Sequence, residues 1–223
     1  MNQQNIWELK GSQLIKQIRR AEVVKQILKH SKAKQILDIG CAEGFITNYL
    51  SQLQAQVIGI DIDQSLKIAK NKVKNADFIQ ASITHLPFKD GTFEAATLLE
   101  ILEHLPNAVI NKGIAEVNRV LKSGGTLIVS VPYKEKITYT RCIHCGKLTP
   151  LYGHLQSFDE NKIASLLPEN YKMVKKKYLP NLELISCSKL LSYMPSRIWL
   201  LMNDLLGIIR KGYWITLKLV KSI

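Results

Sequence analysis

The stretch ILDIGCAEGFIT, residues 36–47, decides the fold of this 223-residue chain. Its first residues form a short apolar strand, and the apolar spacing that begins at Phe45 is that of a helix. Between them, Gly40 and Gly44 allow a tight turn, and the helix that follows presents N–H groups to a carboxylate. The turn lacks the GxGxxG spacing of dinucleotide sites, because Ala42 and Phe45 stand where glycines belong. This disfavours a nicotinamide or flavin enzyme.

On both sides of this stretch, short apolar strands alternate with amphipathic helices. The periodicity predicts strands at 35–39, 56–60, 77–80, 95–99, 126–131, 171–179 and 213–221. It predicts helices at 12–30, 45–53, 107–121 and 158–167, and one more that ends at residue 74. Such alternation with short links indicates an α/β, Rossmann-like fold, with a mostly parallel sheet and helices on both faces. Ligands of such sheets bind at the carboxyl edge of the strands.

The elements fit one domain that spans residues 1–223, with two insertions at 133–157 and 180–212. Hydrophobic residues make up 46% of the chain, enough for a substantial core and too many for a disordered protein. We find neither a secretory signal nor an apolar run of the ~20 residues that a membrane-spanning helix needs. Together with only four cysteines, this predicts a cytoplasmic protein.

The net charge of +13 is unevenly distributed along the chain. Residues 1–132 carry 16 basic and 12 acidic residues, whereas residues 133–223 carry 15 and 6. A basic last third indicates an anionic partner, such as nucleic acid, lipid headgroups or an acidic glycan, or else a solvated basic surface. The KKK run at residues 175–177 can contact phosphates, but no interleaved aromatic residues mark it as a nucleic-acid surface, so nucleic acid is the less favoured partner.

Five motifs follow one another in a characteristic order. After ILDIGCAEGFIT come VIGIDID at 57–63, LPFKDGTFE at 86–94, ILEHL at 101–105 and RVLKSGGTLIVSVP at 119–132. This set, over about residues 20–132, resembles the class I S-adenosylmethionine-dependent methyltransferases, in the style of methyltransferase type 11. The resemblance implies a seven-stranded sheet whose last strand is antiparallel, S-adenosylmethionine as the cofactor, and methyl transfer of the EC 2.1.1 type.

The resemblance also implies site residues. Asp38 and the loop from Gly40 to Gly44 would hold the methionine end of the cofactor, Asp61 the ribose hydroxyls, and Ile62 would pack on the adenine. The full cofactor-binding set that we predict is Asp38, Gly40, Cys41, Ala42, Glu43, Gly44, Phe45, Asp61, Ile62, Ser82, Ile83 and Glu100. Glu100 and His104 would lie near the transferable methyl group. The structural alternatives are that Asp38 caps the following turn, that Asp61 caps its helix and that His104 is a structural histidine.

Three positions depart from the family pattern. Ala81-Ser82 replaces the usual Gly-Asp, so a neutral hydroxyl would meet the adenine amino group and weaken affinity. Ala42 replaces a glycine, and Glu94 replaces the more frequent aspartate. These departures keep a second hypothesis open, a protein that binds the cofactor without catalysis.

Methyl transfer is an in-line displacement at a sulfonium, so the protein mainly aligns the nucleophile, the methyl carbon and sulfur. A general base is needed only where the nucleophile must lose a proton, and His104 and His154 are the candidates. The acceptor predicted is a small molecule or a glycan or lipid precursor. The alternative acceptor is RNA, bound through the basic last third.

The insertion at 180–212 is strongly apolar. From residue 197 to 211, polar residues form only a narrow stripe, so the broad apolar face must be buried or must meet an apolar partner. It predicts a helical cover over the sheet or a homodimer contact. Trp199, Lys189 and the basic residues Arg197, Arg210 and Lys211 instead favour a peripheral membrane segment that takes a lipid-linked substrate.

The insertion at 133–157 contains RCIHCGKLTPLYGH, residues 141–154. Cys142 and Cys145 have the spacing of a zinc knuckle, and Gly146 allows the tight turn that aims both thiolates at one ion. His154 is the third predicted zinc ligand, and it can alternatively contact the substrate. A fourth ligand is not evident, with His144, Cys187 and His85 as candidates. A redox pair is disfavoured because the CxxC does not open a helix.

Overall fold

The computed structural model describes residues 6–180, 194–208 and 212–222. Within these residues the chain forms nine strands. They are β1 Gln35–Ile39, β2 Gln56–Asp61, β3 Asp77–Gln80, β4 Phe93–Leu99, β5 Leu121–Pro132, β6 Tyr139–Arg141, β7 Leu148–Pro150, β8 Tyr171–Pro180 and β9 Gly212–Lys221. Seven of them form one sheet in the order β3-β2-β1-β4-β5-β9-β8, and β6 and β7 form a separate hairpin.

Six α-helices lie in the described residues. They are α1 Gly11–Lys29, α2 Phe45–Leu50, α3 Leu66–Lys72, α4 Asn107–Val120, α5 Glu160–Leu166 and α6 Ser196–Ile208. Two short 3-10 helices, Ile6–Glu8 and Leu102–His104, complete the set. None of the described helices is both long enough and apolar enough to cross a lipid bilayer.

The sheet confirms the predicted architecture. Strands β1 to β5 pair in parallel, whereas β9 pairs antiparallel with both β5 and β8. Parallel strands are covered by helices on both faces, which is why β1 is buried at four of its five positions. Ile36 packs with Val24 and Ile27 of α1 on one face. Leu37 of the same strand packs with Ile114 of α4 on the other.

Several predicted boundaries differ from the structure: the helix predicted to end at residue 74 ends at Lys72, and the one predicted to begin at residue 158 begins at Glu160. The helix predicted to reach residue 53 ends at Leu50, and β4 begins two residues earlier than predicted, at Phe93. Strand β5 begins at Leu121, directly after α4, and not at residue 126. Phe93 pairs with Leu121 and Ala95 with Thr126, so the residues between the two pairs loop out. Gly124 permits this bulge because its φ is +74°.

The order of strands reverses between β1 and β4, and at such a point an open parallel sheet leaves a crevice at its carboxyl edge. The turn after β1 and the segment after β4 meet there. A Cβ placed on Gly40 would lie only 2.8 Å from Ile101 Cδ1, and the φ of Gly40 is +73°. The positive φ favours glycine, and the short distance shows that the two loops are closely packed at this crevice.

The two insertions are placed in part. The hairpin β6–β7 and the segment after it belong to the first, and α6 belongs to the second. The remaining residues of the second, 181–193 and 209–211, lie outside the described residues, and so does Cys187. The single domain over residues 1–223 stays a prediction.

Candidate active site

The turn after β1 is a backbone structure held by β2. The N–H groups of Gly40 and Cys41 both donate to the Ile60 carbonyl, at 2.8 and 3.0 Å, and Gly44 N–H donates to the Cys41 carbonyl at 2.8 Å. Gly40, Ala42 and Gly44 all have positive φ, of +73°, +46° and +77°. For Ala42 this conformation costs about 1–2 kcal/mol. The left-handed geometry explains why the family favours glycine at this position, and the turn is retained here despite the alanine.

Asp61, at the end of β2, faces this turn. Its carboxylate accepts hydrogen bonds from Ala42 N–H at 2.8 Å and from Asp63 N–H at 3.0 Å. The side chain is partly exposed, so its remaining lone pairs can accept from a ligand. The next residue, Ile62, is 70% exposed, an unusual position for a large apolar side chain beside a polar site. A bound ribose and adenine would use both features.

Asp38 lies beneath the turn and not within it. The residue is 2% exposed, and its two oxygens accept from the hydroxyls of Thr47 and Thr97, each at 2.6 Å. Burial raises the pKa of Asp38, and the two threonine bonds oppose part of that shift. The buried aspartate thus joins β1, β4 and α2 under the turn. A direct contact with the methionine end of the cofactor stays a prediction.

Three other predicted residues have buried side chains, so only their backbones can reach a ligand. Cys41 and Phe45 are 8% and 7% exposed. Ile83 is 6% exposed and packs so tightly on α4 that a Cβ on Gly113 would lie 2.8 Å from it. These residues shape the walls of the site, and their side chains pack in the core.

An N-terminal segment covers the turn, a feature that the sequence did not reveal. Ile6 N–H donates to the Glu43 carboxylate at 2.7 Å, and Trp7 Nε1–H donates to the Glu43 carbonyl at 2.8 Å. The ring of Trp7 also packs edge-on against Phe45, with 5.4 Å between ring centroids. Glu43 was predicted to contact the cofactor, and in the structure it anchors Ile6 and Trp7, the residues that cover the turn. Trp7 gave no signal in sequence because it precedes every recognisable motif.

Ser82 follows β3, on the far side of Asp61. Its hydroxyl lies 2.9 Å from the Thr84 hydroxyl and accepts from Thr84 N–H at 3.3 Å. Beside it, Gln80 donates to the Ile62 carbonyl at 2.9 Å, which fixes the backbone after β2. The partly buried Ser82 hydroxyl keeps one position for a ligand, consistent with a neutral partner for an adenine.

Glu100 ends β4 with a φ of +56°, a strained conformation for a residue other than glycine. Arg20 of α1 pairs with its carboxylate at 3.0 Å, Ser130 donates to it at 3.2 Å, and Trp214 Nε1–H donates to its second oxygen. The Arg20 guanidinium also lies 4.8 Å from the centre of a Trp214 ring. Both carboxylate oxygens of Glu100 therefore have partners within the protein. The residue predicted to lie near the methyl group is held in this network of Arg20, Ser130 and Trp214. Arg20 and Trp214 lie in elements with no recognisable motif, and so they were not predicted.

His104 and His154 are brought together from distant parts of the chain. Their ring centroids are 4.7 Å apart. His104 Nδ1 lies 3.3 Å from the Gly153 carbonyl, and His154 Nδ1 contacts the Glu135 carboxylate. Burial and the neighbouring His154 lower the pKa of His104. Both predicted acid–base candidates therefore lie beside the segment that follows β4, although their catalytic role stays a prediction.

The structure separates His154 from the two cysteines. Cys142 lies in the β6–β7 turn, where its N–H donates to Lys147 and its carbonyl accepts from Gly146, both at 2.8 Å. Hydrogen bonds from Cys145 and His144 lower the pKa of Cys142. The group of potential metal ligands found among the described residues includes His154 and neither cysteine, so the three residues do not meet. The predicted three-ligand zinc site is therefore not assembled, and Cys142 and Cys145 form only half of one.

The site and the fold agree with known proteins. Residues 37–129 match the family described as a methyltransferase domain. A probable S-adenosylmethionine-dependent methyltransferase of Mycobacterium tuberculosis is 28% identical over 133 residues, which cover 59% of this chain and 46% of that protein. A ubiquinone/menaquinone biosynthesis C-methyltransferase of Marinomonas is 34% identical over 143 residues, 58% of this chain and 56% of that protein. The chain thus spans about half the length of these curated relatives.

A solved structure extends the likeness over nearly the whole chain. The 1,6-didemethyltoxoflavin-N1-methyltransferase of Burkholderia thailandensis, which was solved with S-adenosylhomocysteine, has a TM-score of 0.64 at 15% identity. The match covers 93% of this chain and 79% of that one. Residues 37–129 thus belong to the methyltransferase-domain family, and the chain around them has the fold of the class I S-adenosylmethionine-dependent methyltransferases.

Proposed function

We propose that this protein binds S-adenosylmethionine and transfers its methyl group to a small molecule or to a glycan or lipid precursor. The observation that carries the proposal is the bond between Asp61 and Ala42 N–H. It fixes a carboxylate beside a left-handed turn at the point where the strand order reverses, and an exposed Ile62 follows directly. A carboxylate for the ribose and an apolar surface for the adenine are the two requirements of the cofactor's nucleoside.

Methyl transfer mainly requires the protein to align the nucleophile, the methyl carbon and the sulfur. The sulfonium is already an activated leaving group, and holding nucleophile, carbon and sulfur in line can lower the barrier by up to ~7–11 kcal/mol. The rigid elements around the crevice suit this task, since Asp38 ties the turn to β4 and the Glu100 network ties β4 to α1 and β9. An acceptor hydroxyl would also have to lose a proton, and His104 and His154 are the nearest titratable side chains that we assign to that step.

Calorimetry with S-adenosylmethionine and S-adenosylhomocysteine tests the proposal, followed by a screen of metabolite extracts with methyl-labelled cofactor. We expect micromolar binding of both compounds and labelling of at least one extract component. Binding without any labelling would favour the second hypothesis, a non-catalytic cofactor-binding protein, and failure to bind either compound would refute both.

The first insertion favours an apolar acceptor. It places a set of large apolar side chains in solvent, and one of them, Tyr152, has its ring 6.0 Å from the His154 ring. The exposed residues of this set are Tyr139, Ile143, Leu148, Leu151, Tyr152 and Leu155. So many exposed apolar residues in one short segment are typical of a binding surface. A lipid-linked or quinone-like acceptor would cover them.

RNA is a less favoured methyl acceptor than a small molecule or a glycan or lipid precursor. Of the KKK run, Lys177 is 6% exposed and Lys176 pairs with Glu160 at 3.5 Å. The alternation of strand β8 thus turns one lysine inward and engages another, which leaves less of a phosphate-binding surface than the sequence suggested. Strongly salt-dependent binding of RNA would reverse this ranking.

Helix α6 supports peripheral contact with a membrane. Trp199 and Asn203 are 1% exposed, so one side of the helix is covered, whereas Ile198, Leu201 and Leu205 are 50%, 69% and 66% exposed. The apolar surface predicted from sequence is therefore divided between a covered and an open side. An open apolar side on a chain with a net charge of +13 suits an anionic lipid surface.

We expect the protein to sediment with anionic vesicles and Leu201→Asp to weaken this at least about fivefold, because the aspartate adds a charge to the lipid-facing side. Val174→Asp is the matched control, since Val174 is a 49% exposed apolar residue of β8 and the charge change is the same. An equal loss in both variants, or no sedimentation of the unaltered protein, would argue against contact through α6.

Zinc at the hairpin remains a proposal for Cys142 and Cys145 alone. We expect cobalt, used as a stand-in for zinc, to give a thiolate charge-transfer band, because both cysteines point from one tight turn and thiolates favour such ions. The band should vanish in Cys142→Ser and persist in Cys41→Ala, which removes a buried thiol elsewhere. Absence of the band in the unaltered protein would exclude the hairpin as a metal site.

A further inference from the structure

Glu103 is a buried acidic residue without a visible partner. It is 1% exposed, and neither of its carboxylate oxygens has a hydrogen-bond partner on another described residue. Burial raises its pKa to about 7. A carboxylate buried in this way is costly unless a proton or a cation accompanies it, so the orphaned oxygens call for a positive ligand.

Two imidazoles face the same carboxylate. Ligand atoms of Glu103, His104 and His154, one from each residue, all lie within 4.8 Å of one another, and among the described residues no other such group of three or more occurs. Ligands ~2.1 Å from one tetrahedral ion lie about 3.4 Å apart, so a contraction of up to about 1.4 Å would close the group around a cation. Small side-chain rotations supply such a movement.

The hydrogen bonds of both histidines prepare them as ligands. A carbonyl can only accept, so His104 donates its Nδ1–H to Gly153, and the Glu135 carboxylate likewise takes the Nδ1–H of His154. Each ring therefore presents Nε2 with its lone pair. Metal-binding histidines usually have this second contact to a carbonyl or carboxylate, which fixes the tautomer and the ring orientation.

The insertion is what completes the cluster. Glu103 and His104 belong to the 3-10 helix after β4, whereas His154 comes from the segment after the hairpin. That segment is fastened to the same helix region, since Leu155 N–H donates to the Glu103 carbonyl at 2.7 Å and Gln156 donates to the Leu105 carbonyl at 2.9 Å. The third ligand is thus held in place by a backbone bond to Glu103 and a side-chain bond to Leu105.

We infer that Glu103, His104 and His154 bind one divalent transition-metal ion beside the cofactor turn. Two imidazoles and one carboxylate suit zinc, manganese, iron(II) or cobalt, and three protein ligands leave coordination positions open. An acceptor hydroxyl in an open position would lose its proton more readily, because a bound ion lowers its pKa, and the two histidines would then serve as ligands in place of the base role proposed above. Metal binding itself does not depend on the proposed methyl transfer; only this consequence for the acceptor rests on it.

The test uses manganese, which disfavours thiolates, and the full chain in the Cys142→Ser background, so that the hairpin does not contribute. Titration followed by electron paramagnetic resonance should show about one equivalent of bound Mn²⁺. Glu103→Gln and His154→Asn should weaken binding at least tenfold, and Glu135→Gln about 10–100-fold, because it orients a ligand without touching the ion. His85→Asn, which removes an exposed histidine outside the cluster, should bind as the parent does.

Circular dichroism and calorimetry with S-adenosylhomocysteine on the same variants establish that they fold and keep the cofactor site. Retained folding with lost Mn²⁺ binding supports the inference, whatever the outcome for methyl transfer. Equal Mn²⁺ affinity in the parent, Glu103→Gln and His154→Asn would overturn it, as would a parent protein that binds no Mn²⁺. In that case Glu103 is simply a protonated acid packed beside two histidines.

Discussion

Replacing Asp61 with alanine is expected to weaken binding of S-adenosylhomocysteine by about 100-fold or more. Each hydrogen bond from a ribose hydroxyl to a carboxylate stabilises the complex by about 1.5–3 kcal/mol, and Asp61 would accept two. The substitution also releases Ala42 N–H, which holds the cofactor turn against β2. Calorimetry at a fixed temperature and salt concentration measures the change.

Two variants sharpen this measurement. Asp61→Asn keeps one acceptor oxygen and should fall between the parent and the alanine variant. Asp63→Asn removes a neighbouring exposed charge whose oxygen accepts from Ser65 N–H at 2.7 Å, a bond that asparagine can also accept, and it should bind almost as the parent does. An Asp61→Ala protein that binds within threefold of the parent would show that Asp61 caps its turn and has no part in the site.

Gly44→Ala is expected to cost about 2–4 kcal/mol of stability. Gly44 has a φ of +77°, where a residue with a side chain costs about 1–2 kcal/mol, and its Cβ would lie 2.9 Å from Ala69 Cβ and 3.3 Å from Ala69 Cα. The second neighbour is backbone, which cannot turn aside, so overpacking adds about 1–2 kcal/mol. In a chain of this size the melting temperature should fall by about 4–16 °C.

Gly124→Ala is the matched control. Its φ is +74°, nearly the same, but a Cβ there would meet nothing within 4 Å. We expect only the conformational cost of about 1–2 kcal/mol, with the same entropic gain in the unfolded chain for both variants. Chemical denaturation of the two proteins side by side isolates the packing term. Equal losses would mean that α3 moves freely away from the turn.

The sequence predicted the sheet because buried parallel strands are nearly continuous apolar runs and because glycines mark the turns between them. It predicted the turn after β1 and Asp61 for the same reason, since local motifs determine both. It did not predict Arg20, Trp214 or Trp7, because these side chains reach the site through packing between distant segments. Nor did it place His154 correctly relative to the cysteines.

Glu103 shows a second limit of prediction from the sequence. It stands directly before His104 in ILEHL, and so it was in view from the beginning. Spacing cannot tell which of two adjacent polar residues faces inward on a 3-10 turn. Burial without a partner, which gives Glu103 its significance, is a property of the assembled structure alone.

The position of β9 determines when the seven-stranded sheet can be completed during synthesis. This strand is made after the other six strands of the sheet, yet it lies between β5 and β8. Until residues 212–221 leave the ribosome, the edge of β5 has no partner and β8 has nothing to pair with, so both strands are exposed to pairing with other chains. Insertion of β9 between β5 and β8 thus completes the sheet. Chaperone protection of the nascent chain matters most just before β9 emerges.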